Sequence, residues 1–258
     1  MPAAIALTAI LNCACGVAAD PVRHYEGDAY AIGDGRLLYR ESHWLYEDAG
    51  SAARIVLYRC PDGTPFARKR LHAGVAAQAP DFEMSDARNG YVEGVRSNAG
   101  AREVFARPGK DDREYSAALT IARDTVIDAG FDAFVRAHWD TLASVASVAL
   151  NFVVPSRLAA LPFKVRRIAD AHLATDATVH LRLQLANWYG ALLPQIDVFY
   201  DTATRELSRY EGMSNVRDAT SNNVEVRIEF RSDQRHDTTM QDVDAAAAAP
   251  LTGLCRLS

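Results

Sequence analysis

The sequence predicts a mainly β protein: an antiparallel curved sheet of about a dozen strands, shaped as a half-barrel or barrel, with one central α-helix over 131–145. Three observations predict this class. Residues 179–185 and 224–230 alternate between apolar and polar side chains, as strands do when one face lies in a core and the other in water. Turn signals divide much of the chain into short β-rich segments. An open sheet of so many strands has to curl.

The first elements are predicted to form a four-stranded meander. Asp34-Gly35 and Asp62-Gly63 each separate two β-rich segments, and an Asp-Gly step tolerates the positive φ of a tight turn. The strands of this meander are predicted at 25–32, 36–47, 54–60 and 65–71. A loop is predicted at 74–80, where the residues are small and polar. Weaker strands are predicted at 90–96, 102–107, 114–121 and 125–127.

The one predicted helix separates these strands from the rest of the sheet. Phe131, Phe134, His138 and Leu142 fall on one stripe at helical spacing, and no Pro or Gly interrupts 131–145. We expect this stripe to face the concave side of the sheet. Further strands are predicted at 148–154, 161–168, 179–185, 196–200, 206–216 and 224–230.

The two ends of the chain are predicted to flank a single β-rich domain of residues 20–231. Residues 1–19 carry no charged side chain and end in small residues before Asp20, which predicts a signal peptide and a periplasmic or secreted protein. Because this segment lacks Lys and Arg, an uncleaved anchor and a buried first element remain alternatives. No transmembrane span is expected in the mature chain. Residues 232–258 are polar and then Ala-rich, and they are predicted to form a flexible tail.

Two of the four cysteines would remain after removal of the signal peptide. These are Cys60, at the end of a predicted strand, and Cys255, in the predicted tail. In an oxidising compartment the two thiols can form a disulfide that ties the tail to the first strands. The alternative is two unpaired thiols, one buried in a strand and one in a loose tail.

Composition and motifs argue against several function classes. The net charge is −5, from 28 basic and 33 acidic residues, which argues against a polyanion-binding protein, since binding to a nucleic acid needs a basic face. The sequence contains no Gly-rich phosphate loop, no G-x-S-x-G element and no Cys/His cluster of the zinc-finger type. No cofactor, metal site or catalytic residue is therefore assigned, and a monomer is expected. His24 and His43 can meet across the first hairpin, where such a pair can bind a metal; the alternative is two exposed strand histidines.

A local basic cluster follows the helix. Its side chains, Arg157, Lys164 and Arg166 with the adjacent Arg167, can bind the anionic head group of a phospholipid or a lipopolysaccharide fragment. The alternative is a solvated strand face paired with nearby carboxylates. Together with the helical stripe, this cluster gives the predicted ligand-binding residues: Phe131, Phe134, His138, Leu142, Arg157, Lys164 and Arg166.

The most distinctive stretch runs from Tyr200 to Gly212. An aromatic-Asp turn at Tyr200-Asp201 leads into Leu207-x-x-Tyr210-x-Gly212. Residues 196–226 around it resemble the strand–turn–strand of the periplasmic LolA-like half-barrel proteins and of related uncharacterised bacterial envelope proteins. The resemblance implies an open barrel with an apolar cavity for acyl chains, and it implies no catalytic residue. The chain departs from those carriers in having its longest helix in the middle of the sequence.

These observations lead to three hypotheses about function. The leading one is an exported bacterial envelope protein that binds a lipid-like or other hydrophobic ligand in a concave β sheet. The alternative is a structural or assembly factor that acts through protein–protein contacts at an apolar patch or an unpaired edge strand. The third is an enzyme whose acidic, imidazole or hydroxyl groups converge in a cleft.

Overall fold

The fold class predicted from the sequence is confirmed by the computed structural model of the protein, which describes residues 21–74, 76–144, 147–169, 177–186 and 195–257. Within these ranges, sixteen strands belong to one large curved sheet that does not close. The predicted signal peptide lies outside the described residues.

The strands are numbered in chain order. They are β1 (Val22–Ala31), β2 (Leu37–Asp48), β3 (Ser51–Arg59), β4 (Pro65–His72), β5 (Asp81–Asp86), β6 (Tyr91–Asn98), β7 (Ala101–Arg107), β8 (Tyr115–Leu119), β9 (Thr125–Val126), β10 (Ser147–Val154), β11 (Ala159–Arg167), β12 (Thr178–Leu185), β13 (Ile196–Asp201), β14 (Leu207–Arg217), β15 (Asn223–Glu229) and β16 (His236–Thr238).

The sheet consists of two meanders joined at the first strand. Strands β8 to β1 follow one another in order, and we call them the first half. On its other edge β1 pairs with β15, from which the order runs back through β14 to β10 and β9, the second half. All these pairs are antiparallel except β9–β10, which is parallel. Strand β15, late in the sequence, thus lies beside β1 at the beginning of the fold.

The sheet rolls up until its two ends come near each other. Strand β8 approaches β11, and a 3-10 turn at Pro155–Arg157 between β10 and β11 lies near β6 and β7. No ladder joins these neighbours among the residues that the structure describes. The result is a barrel-like roll in which the concave faces of the two halves enclose most of the core.

Among the described residues, three α-helices accompany the sheet: α1 (Gly130–Ala137), α2 (Trp139–Ala143) and α3 (Met240–Ala248). The single helix expected over 131–145 is therefore broken at His138, where φ is −109° and ψ is 17°. Nδ1 of the His138 ring lies 2.9 Å from the Phe134 carbonyl oxygen, so the side chain competes for an acceptor that the helix needs. Residue 145 lies outside the described residues.

The segment after the second half differs from the predicted flexible tail. Strand β16 pairs with the start of β1, and α3 begins with a capping box between Thr239 and Asp242. Val243 and Ala246, one helical turn apart, pack on Trp44 and neighbouring residues of the outer face of β2 and β3. The Ala-rich composition hid these elements, because only two apolar side chains and a short capping motif specify the contact.

The structure also joins Cys60 to Cys255 in a disulfide, with the two Cα atoms 5.8 Å apart. Cys60 follows β3, and Cys255 lies beyond α3 in sequence. Two guanidinium groups of β4 reinforce the attachment: Arg68 Nε donates to the Ala246 carbonyl at 3.0 Å, and Arg70 donates to that of Ala247 at 2.9 Å. These arginines occupy the carbonyl end of α3, as the helix dipole favours.

Candidate functional site

The predicted apolar stripe lies in the core of the second half. Phe134 and Leu142 are 1% and 0% exposed, and Phe131 is 9% exposed. They pack, with Trp139, against inward side chains such as Leu181 of β12. Helices α1 and α2 therefore fill the concave face over β10–β13 instead of leaving it open, and the stripe forms core where the sequence analysis expected a ligand surface.

A cavity of about 420 Å³ lies at the C-terminal end of α1. Its volume is within the range of small-molecule sites. Six side chains line it: Gln78, Arg123, Asp124, Phe134, His138 and Ala149. Two of the seven predicted ligand-binding residues, Phe134 and His138, thus contribute to a concave site.

Hydrogen bonds between loops fix the polar side of the cavity. Gln78 Nε2 donates to the Arg123 backbone carbonyl at 2.7 Å. The backbone carbonyl of Gln78 accepts from the Ile127 backbone N–H at 3.0 Å. Asn151 Nδ2 of β10 donates to an Asp124 carboxylate oxygen at 2.8 Å. Because both loop segments are bound to each other and to β10, the wall of the cavity is built before any ligand arrives.

His138 presents a defined hydrogen-bonding atom to the cavity. Its Nδ1 faces the Phe134 carbonyl oxygen, which can only accept, so in the neutral ring Nδ1 carries the proton. The other ring nitrogen, Nε2, is then an acceptor. The ring also lies on Phe134, with 4.2 Å between ring centroids.

The predicted basic cluster lies elsewhere. Lys164 and Arg166 alternate with the buried Val165 on β11 and point to the outer face of the sheet. Arg157 is exposed in the 3-10 turn at the opposite end of the β10–β11 hairpin. The three cations therefore do not converge, and none of them lines the cavity. The exposed Arg123, which the sequence analysis did not single out, lies at the cavity instead.

A chain of buried polar groups crosses the interior of the first half. Lys69 Nζ of β4 donates to both carboxylate oxygens of Asp128, at 3.0 and 2.8 Å, just before α1. It also donates to Asn215 Oδ1 of β14 at 3.4 Å, and the Asn215 amide donates to Glu93 of β6. Tyr91 donates to the same carboxylate at 2.6 Å. These bonds tie both halves of the sheet to the start of α1.

Burial dominates the electrostatics of this chain. It raises the pKa of Glu93, although the hydrogen bonds from Tyr91 and Asn215 act in the opposite direction. The Lys69 and Asp128 side chains are 8% and 7% exposed. The groups are satisfied by one another and enclosed, so they are structural and do not form an open catalytic cleft. Their signal in the sequence was weak, because Glu93 is a single acidic residue between apolar positions of a short strand.

The first hairpin separates the two histidines that the sequence analysis paired. Register places His43 opposite Tyr25 and His24 opposite Trp44, so the imidazoles point to opposite faces of the sheet. His43 lies inside, stacked on Tyr25 at 4.4 Å and 3.0 Å from a Glu41 carboxylate oxygen. Burial lowers the pKa of His43.

Comparison with known proteins informs the fold of this chain and assigns it no activity. No protein-family model matches the chain, and no curated protein matches it in sequence. A solved structure does match: a beta-barrel-like protein of the domain of unknown function DUF1849 from Brucella abortus, with a TM-score of 0.51 over 85% of this chain and 98% of that chain. The chain has a beta-barrel-like fold. At 8% sequence identity, the structural similarity supports only the fold. The resemblance to LolA-like carriers is not confirmed.

Two structural features bear on membranes and metals. Across the described ranges, no helix has the length and apolar character needed to cross a membrane. In the same ranges, no group of three or more His, Cys, Asp or Glu side chains is placed to hold a metal ion.

Proposed function

We propose that this protein is an exported bacterial envelope protein that binds a lipid-like or other hydrophobic ligand in the cavity beside α1. The observation that carries the proposal is the cavity itself. It combines an apolar floor, formed by Phe134 and Ala149, with polar groups held in place by loop hydrogen bonds. Such a combination is typical of sites that bind an apolar body and orient it through a few polar atoms.

The floor suits an apolar chain. Phe134 is held by the packing of α1 against the second half, and Ala149 of β10 is a second apolar residue of the lining. Placing a short hydrocarbon segment there removes apolar surface from water, at about 25 cal/mol per Å². A cavity of about 420 Å³ accommodates part of an acyl chain and not a complete membrane lipid.

The rim suits a polar or anionic head. The Arg123 side chain is exposed, and a guanidinium binds carboxylate or phosphate oxygens through two parallel hydrogen bonds. His138 Nε2 accepts a hydrogen bond from a hydroxyl group. Asp124 accepts a hydrogen bond from Asn151, which holds this carboxylate against β10. We therefore favour a ligand with an apolar chain and a small anionic or hydroxylated head.

Two features support the proposed export. The first 19 residues are uncharged and end in small residues. The Cys60–Cys255 disulfide suits an oxidising compartment such as the periplasm, since cytosolic thiols are kept reduced. Intact-mass measurement of the protein from a periplasmic fraction tests this part of the proposal: a mature chain beginning near Asp20 supports it, and an unprocessed cytoplasmic chain contradicts it.

Native mass spectrometry and titration with a fluorescent fatty acid test the ligand. We expect copurified lipid and saturable binding at a single site. Ala149→Leu adds bulk at a lining residue of the cavity and should weaken binding at least about tenfold, because overpacking of a shaped site costs ~1–3 kcal/mol. Arg123→Gln should weaken binding of the carboxylate and spare that of the corresponding alcohol.

The matched control is Ala52→Leu, which places the same side chain at an exposed alanine of β3, away from the cavity. It should bind as the parent does. Equal binding by the parent, Ala149→Leu and Ala52→Leu would place the ligand elsewhere and overturn this assignment.

A second candidate function, that of an assembly factor, is favoured by the open edge of the sheet. Strand β8 is the last strand of the first half, and its outer edge has no strand partner among the described residues. Tyr115 on this strand is 44% exposed. An exposed edge can accept an extended segment of another protein as an added strand. Ser116→Lys should abolish capture of such a partner from an envelope fraction while leaving fatty-acid binding unchanged.

A further inference from the structure

The folded tail brings together two histidines that are more than two hundred residues apart in sequence. Strand β16 pairs antiparallel with the start of β1, and its register places His236 directly opposite His24. Side chains at directly opposed positions of an antiparallel pair lie on the same face of the sheet. His24 is part of the first strand, so the pair spans the beginning and the end of the described fold.

The distance between the rings is that of two imidazoles sharing a metal ion. The centroids of His24 and His236 lie 4.8 Å apart, with 50° between the ring planes. With nitrogen–metal bonds of about 2.1 Å and bond angles of about 90° to 110°, the centroids of two ligating imidazoles lie about 4.6 to 5.3 Å apart. The observed distance falls within this range before any rearrangement.

One nitrogen of the pair lacks a partner. Nδ1 of His24 is buried and makes no hydrogen bond with any residue that the structure describes. A buried nitrogen without a partner is costly, and a ligand that supplies one would remove the cost. The opposite side of the ring is occupied by Trp44, whose ring centroid is 4.8 Å away. Trp44 fixes the ring and also provides an optical probe beside it.

The charges around His24 suit a cation. The charged groups that face its ring are the carboxylates of Glu26 and Asp242 and the guanidinium of Arg59. Glu26 lies on β1, Asp242 on α3 and Arg59 on β3. Two carboxylates against one guanidinium leave a local excess of negative charge, which favours a divalent cation.

We propose that His24 and His236 form a binding site for a divalent transition metal ion of the zinc, nickel or copper type. The two imidazoles supply the protein ligands, and water completes the coordination. Imidazole suits these metals, and copper(II) binds most tightly among them. The bound ion would link β16 to β1 and so hold the tail, α3 included, on the outer face of the first half. This proposal does not depend on the cavity beside α1.

Fluorescence quenching by Cu²⁺ and thermal unfolding with Zn²⁺ test the site on the full chain without a histidine tag. Cu²⁺ should quench Trp44 saturably, and Zn²⁺ should raise the melting temperature. His236→Gln should raise the dissociation constant for Cu²⁺ by at least about tenfold, because it converts a two-ligand chelate to a single ligand. Trp44→Phe should remove the quenching and keep the melting shift with Zn²⁺.

His72→Gln is the matched control, because the His72 side chain is 53% exposed at the end of β4 and is not part of the pair. It should behave as the parent does in both measurements. Far-UV circular dichroism verifies that each variant is folded. Unchanged Cu²⁺ affinity in folded His236→Gln, or an equal loss in His72→Gln, would overturn the proposal.

Discussion

The two halves of the sheet fill their concave faces in different ways. In the second half, α1 and α2 lay a mainly apolar surface on β10–β13. In the first half, a hydrogen-bonded chain from Asp128 through Lys69 to Glu93 lies among apolar side chains. An apolar contact that is lost leaves a void, whereas a buried charge that loses its partner leaves an unsolvated ion. The first half is therefore the less tolerant of single substitutions.

The outer faces of the halves differ as well. The first half carries the tail on its outside, held by β16, α3 and the disulfide. The outer face of β12 and β13 in the second half carries a side-chain network instead, in which both His180 and Arg182 bind Asp197 at 2.8 Å. The polar interior of the first half is thus enclosed by a second layer on its outer face.

The largest expected effect comes from breaking the buried ion pair. Lys69→Met should lower the free energy of unfolding by ~3–5 kcal/mol, because it leaves the Asp128 carboxylate buried without a cation. Lys69→Met combined with Asp128→Asn should recover part of the loss, since Asn carries no charge and tolerates the positive φ of 45° at this position. Urea denaturation measures both.

Lys110→Met is the control for this substitution, because Lys110 is exposed in the turn between β7 and β8. It should change stability by less than about 0.5 kcal/mol. If Lys69→Met were no more destabilising than Lys110→Met, the polar chain would have no structural role and the contrast between the halves would disappear.

A cavity in the second half should have the next largest effect. Leu142 is 0% exposed in α2, and Leu142→Ala should cost ~2–5 kcal/mol through lost burial and the void that remains. Leu254→Ala is the control, because Leu254 is 87% exposed. Hydrogen exchange should show the loss of protection concentrated in β10–β13. A uniform loss over both halves would mean that the sheet unfolds as one unit.

Removal of the disulfide should have a smaller effect, confined to the outer layer of the first half. The bond closes a loop of 195 residues in sequence, and the double variant Cys60→Ala/Cys255→Ala should lose ~2–4 kcal/mol. Hydrogen exchange should increase first in β16 and α3. Dithiothreitol should destabilise the parent and leave the double variant unaffected, whereas an equal response of both proteins would contradict the assigned bond.

The smallest expected effect is a pH dependence located in the first half. The pKa of His43 is lowered by burial, so the unfolded chain takes up a proton at a higher pH than the native protein. Stability is therefore expected to fall as the pH decreases from about 6.5 towards the lower native pKa. In His43→Gln, which keeps a hydrogen-bonding side chain beside Glu41, this slope should be smaller, and the lowered pKa of His24 should account for the remainder.

Urea denaturation at several pH values measures the slope. His72→Gln, at an exposed position, should retain the slope of the parent. A slope in His43→Gln as steep as that of the parent would exclude His43 as a source of the pH dependence.

The regular strands could be predicted because each one carries its own signal. The hairpin turns at Asp34-Gly35 and Asp62-Gly63 and the alternation in 179–185 and 224–230 correspond to observed turns and strands. Strand β5 (Asp81–Asp86) was missed, since it is short and polar at both ends and its two large apolar side chains, Phe82 and Met84, are too few to indicate a strand. Strand β16 has three polar residues and exists only through its pairing with β1.

The candidate site could be predicted in part. Helical spacing identified Phe134 and His138, because periodicity marks the face that a helix presents to its surroundings. It did not identify Gln78, Arg123 or Ala149, which reach the cavity from loops and from β10. Their sequence neighbours do not reveal this, since the contacts are made between segments distant in sequence.

The sequence by itself determined the local conformations: alternation marked the faces of the strands, and Gly and Asp marked the turns. Only the tertiary structure decided what those faces meet. It placed apolar helices in one half and an ionic chain in the other, it set His236 opposite His24, and it brought Cys255 to Cys60. The physical reason is that periodicity reports how one segment divides between core and solvent, whereas register and long-range pairing depend on the free energy of the whole sheet.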